Sequence, residues 1–383
     1  MIPESVLSQL RAAAAQHTEA VADLARRICE VPAPTGHEWE RAQLIASLWQ
    51  ERGYTPEIDA VGNVYVRRGK RGQGPVLMLL AHTDTVFPQT TPIVVKREGD
   101  ILRGPGIGDN SVNVAAIISA LDILDELGIE TAVDIVAVAD VGEEGLGNLL
   151  GARTAVERYR AQLGAVIAVD GSLGHLTHIA VGSKRWRIIV SGPGGHSYGS
   201  FGTPSAIHGL ARIIAAIADL EVPQQPKTTF NVGIIEGGTS VNTIAAQASA
   251  LLDMRSVDVA ALDKLADEVR AIVEQRAGPG LQTEIEILGN RPAGQLSRSS
   301  PLVQLAAGAI TWLGMEPRYG ASSTDANIPI SLDIPAVCIG ITRVEGAHTL
   351  EEYLTISPIA AGMAQLTRLC VEACNWLAMT NSP

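Results

Sequence analysis

Three short runs of this chain are almost wholly apolar, residues 76–81, 133–139 and 165–169, and each ends abruptly at ionisable side chains. Runs of that length without polar alternation predict strands buried on both faces of a parallel sheet. Residues 336–341 make a fourth such strand, and residues 63–67 alternate like a half-buried one. Elsewhere the apolar positions recur at helical spacing. Residues 18–27, 112–127, 301–313 and a stretch after Ser357 predict helices, and so does the face made by Ala42, Ile45, Ala46 and Trp49. Pro32 and Pro34 separate the first two helices because they remove backbone donors. Residues 92–96 and 100–103 predict a hairpin turning at Glu98-Gly99.

Near Gly182 the pattern changes. Residues 184–191 alternate, with Trp186, Ile188 and Val190 on one side. A helix over 204–220, strands over 228–235 and 242–254, a helix over 259–275 and a strand over 282–288 follow. That β-α-β-β-α-β order is ferredoxin-like. The expected fold is therefore α/β: a mostly parallel-sheet catalytic domain with helices on both faces, residues 1–182 and 292–383. A ferredoxin-like α+β domain, residues 183–291, is inserted into it.

Composition narrows the partners. A chain of 383 residues with 46% hydrophobic content can bury two cores. A formal charge of −12 argues against nucleic acid or an anionic membrane as partner. The apolar stretches fall short of the roughly 20 residues that span a bilayer. The N-terminus does not read as a signal peptide, since Ala12 to Ala15 is short and charged residues follow at amphipathic spacing. Cys29, Cys338, Cys370 and Cys374 fit reduced thiols in a cytoplasmic protein.

The polar groups that end the apolar runs carry the chemistry. His82 and Asp84 follow the first run, Glu143 and Glu144 the second, Asp170 the third, and His348 lies beyond the fourth. Asp109 precedes the apolar helix at 112–127. Taken singly, each has a bland reading: a surface turn for His82 and Asp84, a helix cap for Asp109. Together His82, Asp109, Glu144, Asp170 and His348 form a set of nitrogen and oxygen donors suited to zinc, and to cobalt or manganese. Five ligands exceed what one catalytic zinc takes, and they suffice for two ions that share a carboxylate. Glu143 would then be the general base.

These residues, in their local spelling, resemble a known family. Val31-Pro-Ala-Pro-Thr-Gly-His-Glu38, Ala81-His-Thr-Asp-Thr85, Gly106-Ile-Gly-Asp109, Gly142-Glu-Glu-Gly145, Val169-Asp-Gly171 and Gly346-Ala-His-Thr349 occur in the order found in cocatalytic zinc exopeptidases and deacylases. That family includes glutamate carboxypeptidase, peptidase T, acetylornithine deacetylase, succinyl-diaminopimelate desuccinylase and aminoacylase. The resemblance implies two Zn2+ per subunit, with His82 and Asp170 at one, Glu144 and His348 at the other, and Asp109 bridging. It implies that Asp84 orients His82 and that Glu143 activates a metal-bridged water. In the inserted domain it implies that His196 reaches across a homodimer to the scissile carbonyl, and that Asn242 and Arg255 hold the substrate carboxylate. A planar guanidinium suits that task, although Arg255 could instead pair with Asp253 or Asp258. Asp325 would line the substrate site. Asn110-Ser111 stand where many members carry a second acid and a Lys or Gly, and the peptide after the bridging Asp is often cis in the family. Asp at 170, not Glu, leans toward the peptidases.

The expected substrate is a small peptide or an N-acyl amino acid, cut by metal-assisted amide hydrolysis. Two rival readings remain at this level. Gly195, Ser197 and Gly199 spell a nucleophile elbow, with Asp325 and His348 following in triad order. A non-catalytic binding protein could also keep the fold.

Overall fold

A computed structural model describes residues 2–69, 72 and 74–380. The chain forms two compact units: one of the residues up to Ala180 together with those from Gln295 on, the other of Val181–Gly294.

In the first unit the three apolar runs become adjacent strands. Asp134–Asp140, Val76–His82 and Leu163–Val169 lie side by side and parallel, and Ala336–Ile339 continues the sheet in the same direction. Val64–Arg68 and His175–Ala180 add antiparallel strands on the two sides. Leu77, Leu79, Ile135, Ala137 and Ile167 enter one core, while Met78, Leu80, Val136, Val138 and Val166 enter another. Successive residues face opposite layers, so a sheet covered on both faces needs apolar side chains at every position. Helices Glu4–Cys29, Val112–Glu126, Pro301–Trp312 and Ile359–Thr380 build the first core, and the shorter Leu150–Tyr159 and Asn327–Ser331 build the second.

Several elements depart from the sequence pattern for local reasons. The first helix begins at Glu4, because Leu7, Leu10, Ala13 and Ala14 extend its buried stripe upstream. The first hairpin arm shrinks to Lys96–Glu98. Helix Leu150–Tyr159 leaves little trace in the pattern because it buries only small side chains, Gly151, Ala152, Ala155 and Val156. A turn at Ile107–Ser111 lengthens the helix at 112–126. The combined segment Ile107–Glu126 reaches the length and apolarity of a membrane span, beyond the expectation from the runs alone, but 89% of that window is buried within the protein as a core helix.

The second unit is a four-stranded antiparallel sheet. Its order is Thr228–Gly237, Gln247–Ser256, Gly182–Ser191 and Gln282–Arg291, with helices Ala206–Ala218 and Val259–Arg276 against it. Trp186, Ile188, Val190, Leu252 and Met254 fill its core with residues of both helices. The strand expected over 242–254 is divided. Thr243–Ile244 pairs with Gly195–His196 as a separate ribbon, and the long strand starts at Gln247.

Candidate metal centre

Every expected ligand of the first unit sits where a parallel strand ends or in a loop beside those ends. His82 is the last residue of its strand. Asp170 follows Leu163–Val169, and its N–H donates to the Ile339 carbonyl at 2.9 Å. Glu143 and Glu144 follow Asp134–Asp140. His348 lies between the short strands Val344–Glu345 and Tyr353–Thr355, with φ at +66°, a left-handed conformation costing a non-glycine residue roughly 1–2 kcal/mol. Asp109 enters from the turn before the core helix. A Cβ on Gly108 would lie 2.2 Å from Val344 Cγ1, so only glycine lets this turn approach the His348 segment so closely. The Asp109–Asn110 peptide is cis, and Asn110 Nδ2 donates to the Val169 carbonyl at 3.0 Å, tying the turn to the strand that delivers Asp170.

These side chains converge. Donor atoms of His82, Asp109 and Asp170 lie within 4.8 Å of one another, and so do those of Asp109, Glu144 and His348. Asp109 belongs to both groups: its Oδ1 is 3.2 Å from His82 Nε2 and its Oδ2 3.1 Å from His348 Nε2. His348 Nε2 is also 3.0 Å from Glu144 Oε1. His82, Glu143 and Glu144 form a third overlapping group.

Electrostatics tests whether cations fit. Four carboxylates, Asp109, Glu143, Glu144 and Asp170, crowd two imidazoles in a largely buried space. Burial, then the charge of Asp109, pushes Asp170 up to about 6 and raises Glu144. Burial opposes the charged form of His82, but Asp109 and Asp84 outweigh it and raise the imidazole well above its usual range. Asp109 draws His348 up to about 9. Burial would raise Asp109 itself, yet His348 and His82 hold it well below the ordinary carboxylate range. Such an excess of buried negative charge is costly unless cations compensate it. The donor set, imidazole and carboxylate without thiolate, fits zinc, cobalt or manganese.

Three further groups shape the centre: Asp84, for which the sequence indicated the contact to His82 but not its hold on the glutamates, and Glu352 and Arg41, which sequence reasoning missed. Asp84 lies 3.6 Å from His82 Nδ1, but its main contacts are elsewhere. Its carboxylate accepts the N–H groups of Glu143 at 3.0 Å and Glu144 at 2.9 Å, and the Thr35 hydroxyl at 2.8 Å. It therefore fixes the backbone of the two glutamates. Burial would raise Asp84, and His82 with these donors pulls it below its normal value. Glu352, fully buried, accepts the N–H groups of Gly106, Gly108 and Asp109 at 3.0, 2.7 and 2.8 Å. Arg41, with no exposed surface, donates to the carbonyls of Val31, Thr83 and Cys29 at 2.8, 2.7 and 3.1 Å. A Glu beside another Glu, or an Arg on an amphipathic helix, reads in sequence as solvated surface; the three Pro and Gly residues around 32–36 were the only hint of a loop needing such a clamp.

Asp325 sits in surroundings other than those expected. It is 2% exposed and faces Asp140, a buried acid pair and not a wall open to a ligand. Within the second unit, the ribbon that pairs His196 with Thr243 brings His196 beside Asn242, whose carbonyl accepts the Ser197 N–H at 2.9 Å. His196 Nδ1 accepts N–H groups from Tyr198 and Gly199 at 3.3 and 3.2 Å. Arg255 Nε pairs with Asp253 Oδ2 at 2.7 Å, the alternative weighed from sequence, and its side chain keeps 40% exposure. Ser197 follows an exposed ribbon and not a strand-to-helix elbow, the next helix starting at Ala206. His348 faces Asp109 and Glu144, and Asp325 faces Asp140, so the Asp–His pair of a serine triad is not formed.

Residues 180–280 match the peptidase dimerisation domain of M20 peptidases, and residues 63–184 match peptidase family M28. A Peptidase M20 domain-containing protein of Schizosaccharomyces pombe is 26% identical over 359 residues, covering 90% of this chain and 83% of that one. Along nearly its whole length the chain is similar to M20 peptidases and deacylases. A succinyl-diaminopimelate desuccinylase of Methylobacterium sp. (strain 4-46) is 27% identical to this chain over 368 residues, covering 88% of it and 91% of the relative. The fold also matches that of a tripeptidase from Staphylococcus aureus at TM-score 0.79 and 20% identity, over 94% of this chain and 99% of the other. With these likenesses and the grouped metal donors, the protein is a metallohydrolase.

Proposed function

We propose that this chain is a two-metal exopeptidase that hydrolyses the amide bond of a small peptide, with zinc as the natural metal and cobalt or manganese as working substitutes. His82 and Asp170 would hold one ion, Glu144 and His348 the other, and Asp109 would join them. The observation that carries this reading is the position of Asp109, one carboxylate oxygen on each imidazole. The ions, when bound, supply Lewis-acid polarisation of the scissile carbonyl and acidify water near neutrality.

The protein's own groups do the remainder. Glu143, buried and held at its N–H by Asp84, takes the proton of the attacking water and returns it to the leaving amine. Asp84 serves as the positioning group for Glu143, Glu144 and His82. His196 has its Nδ1 engaged as an acceptor, so the neutral ring carries its proton on Nε2 and can donate to a developing oxyanion. We assign that donation to the second unit of a paired protomer, with Asn242 and Arg255 holding the substrate carboxylate. The four cysteines are buried thiols outside any disulfide, which suits a reducing cytoplasm.

An N-acyl amino acid deacylase is the second reading, favoured by the desuccinylase among the relatives. A zinc-loaded assay against dipeptides, tripeptides and N-acyl amino acids separates the two. In the same assay Glu143→Gln should keep its metal content while turnover falls roughly 10²- to 10⁴-fold. A fully active Gln variant would remove Glu143 from the role of base.

A further inference from the structure

We infer that Thr35 and Glu38, two side chains of the strap at residues 31–38, are positioning residues for Glu143: they fix the backbone from which its carboxylate projects. The inference rests on Glu143 being the base, as proposed above, and adds the residues through which the fold aims it.

Four successive N–H groups lead into the two glutamates, and a side-chain oxygen accepts each of them. Asn63 Oδ1 takes that of Val141 at 3.1 Å and Glu38 Oε1 that of Gly142 at 3.2 Å. The Asp84 carboxylate takes those of Glu143 and Glu144 at 3.0 and 2.9 Å. All three acceptor residues are buried. Backbone donors at a strand end can be met by water or by nearby carbonyls. Here each is tied to a separate oxygen, so the peptide planes on both sides of Glu143 are held.

The strap is anchored independently of the glutamates. Thr85 N–H donates to the Ala33 carbonyl at 2.9 Å, beside a parallel bridge between Pro34 and Thr85. Buried Arg41 donates to the Val31 carbonyl at 2.8 Å. From this base two side chains reach the glutamate loop. The Thr35 hydroxyl donates at 2.8 Å to Asp84 Oδ2, the same oxygen that accepts the Glu144 N–H. Glu38 Oε1 holds Gly142 and also accepts the Gly36 N–H at 2.9 Å, which joins the turn of the strap to the residue before the base.

An acid at position 38 is a poor choice for stability alone. Burial raises its carboxyl above the ordinary value, and Asp84 adds a like charge nearby. A neutral amide could accept the same two N–H groups at less cost. A carboxylate binds such donors roughly twice as strongly, which matters where placement decides the rate. Gly142 has φ at +70°, so the chain turns at the residue that Glu38 holds, and Glu143 follows directly. A displacement of about 1 Å at a reacting group can cost about a hundredfold in turnover.

The test follows kcat, KM and bound zinc of the zinc-loaded protein with the substrate of the panel that it cuts fastest. Glu38→Ala should lower kcat roughly ten- to a hundredfold while KM and zinc content hold. Glu38→Gln returns an acceptor oxygen to the same place and should recover kcat to within about threefold of wild type. Thr35→Val keeps the shape and removes the hydroxyl; it should lower kcat in the same sense, and it carries the test should Glu38→Ala not fold. In a Glu143→Gln background neither substitution should reduce the residual turnover further, because a group that acts through Glu143 then has nothing to aim. Losses that multiply in the double variants, or wild-type kcat in both Glu38→Ala and Thr35→Val, would overturn the inference and leave the base in place. A fully active Glu143→Gln would remove the base and the inference with it.

Discussion

Asp140 and Asp325 face each other in the interior, and among the described residues neither Asp140 oxygen has a hydrogen-bond partner other than this acid. Burial, opposed by the nearby His82, pushes Asp140 up to about 7, and burial together with Asp140 raises Asp325 well above its ordinary value. A carboxyl whose folded pKa exceeds its unfolded value of 3.8 contributes stability that is complete below 3.8 and lost as pH rises through the folded value. The metal-free protein should therefore weaken between about pH 4 and pH 7 on account of this pair. Asp325→Asn keeps a hydrogen-bonding group and removes one titration, so it should flatten the loss. Urea midpoints of wild type and variant at pH 5 and pH 8 measure the difference; an identical drop in both would refute the assignment. Legibility at this scale followed one rule. His82 and Asp170 were readable because an apolar run stops just before each of them, and Glu144 because it follows another such run by a short glycine-bearing turn. Glu352, Arg41 and the anchoring role of Asp84 were not, because they act on backbone N–H and carbonyl groups, which every residue carries and no sequence distinguishes.

Among the elements, strands buried on both faces declared themselves, while helix Leu150–Tyr159 and strand Arg318–Ser322 did not, since small or half-exposed side chains leave no strong period. Contacts between backbones are equally silent. Gly362, in the helix Ile359–Thr380, lies so close to the end of the neighbouring strand that an added Cβ would stand 1.9 Å from the Ile341 carbonyl oxygen. Gly362→Ala should cost about 3 kcal/mol, because a carbonyl in a packed core cannot yield as a side-chain tip can. Gly308, in the helix Pro301–Trp312, has nothing within 4 Å of the same position. Gly308→Ala should stabilise by about 0.4–1 kcal/mol through the unfolded chain. Urea denaturation of the two variants should move in opposite directions.

For the molecule as a whole, the sheet of the second unit ends in two terminal strands, Thr228–Gly237 and Gln282–Arg291. Strand Thr228–Gly237 is terminal, and Ile234 and Ile235 on it are 50% and 61% exposed. An exposed apolar edge invites pairing, and a homodimer through this unit is the proposed assembly. Light scattering should give twice the 40.2 kDa chain mass, and Ile235→Lys should shift it toward the monomer. A wild-type protein that stays monomeric at micromolar concentration would exclude the dimer. In the first unit, the imidazole of His348 and the clamp of Glu352 ride one short loop between Val344–Glu345 and Tyr353–Thr355. On the proposed two-metal reading, a loop that swung away would cost one ion a ligand and leave Asp109, the shared carboxylate of that reading, without its Glu352 contact. Apo-protein should accordingly take up its ions in a single steep calorimetric transition, and two well-separated uptake steps would show that the halves fill alone. Anything that grips the seven residues of this loop, 346–352, would then silence the entire enzyme.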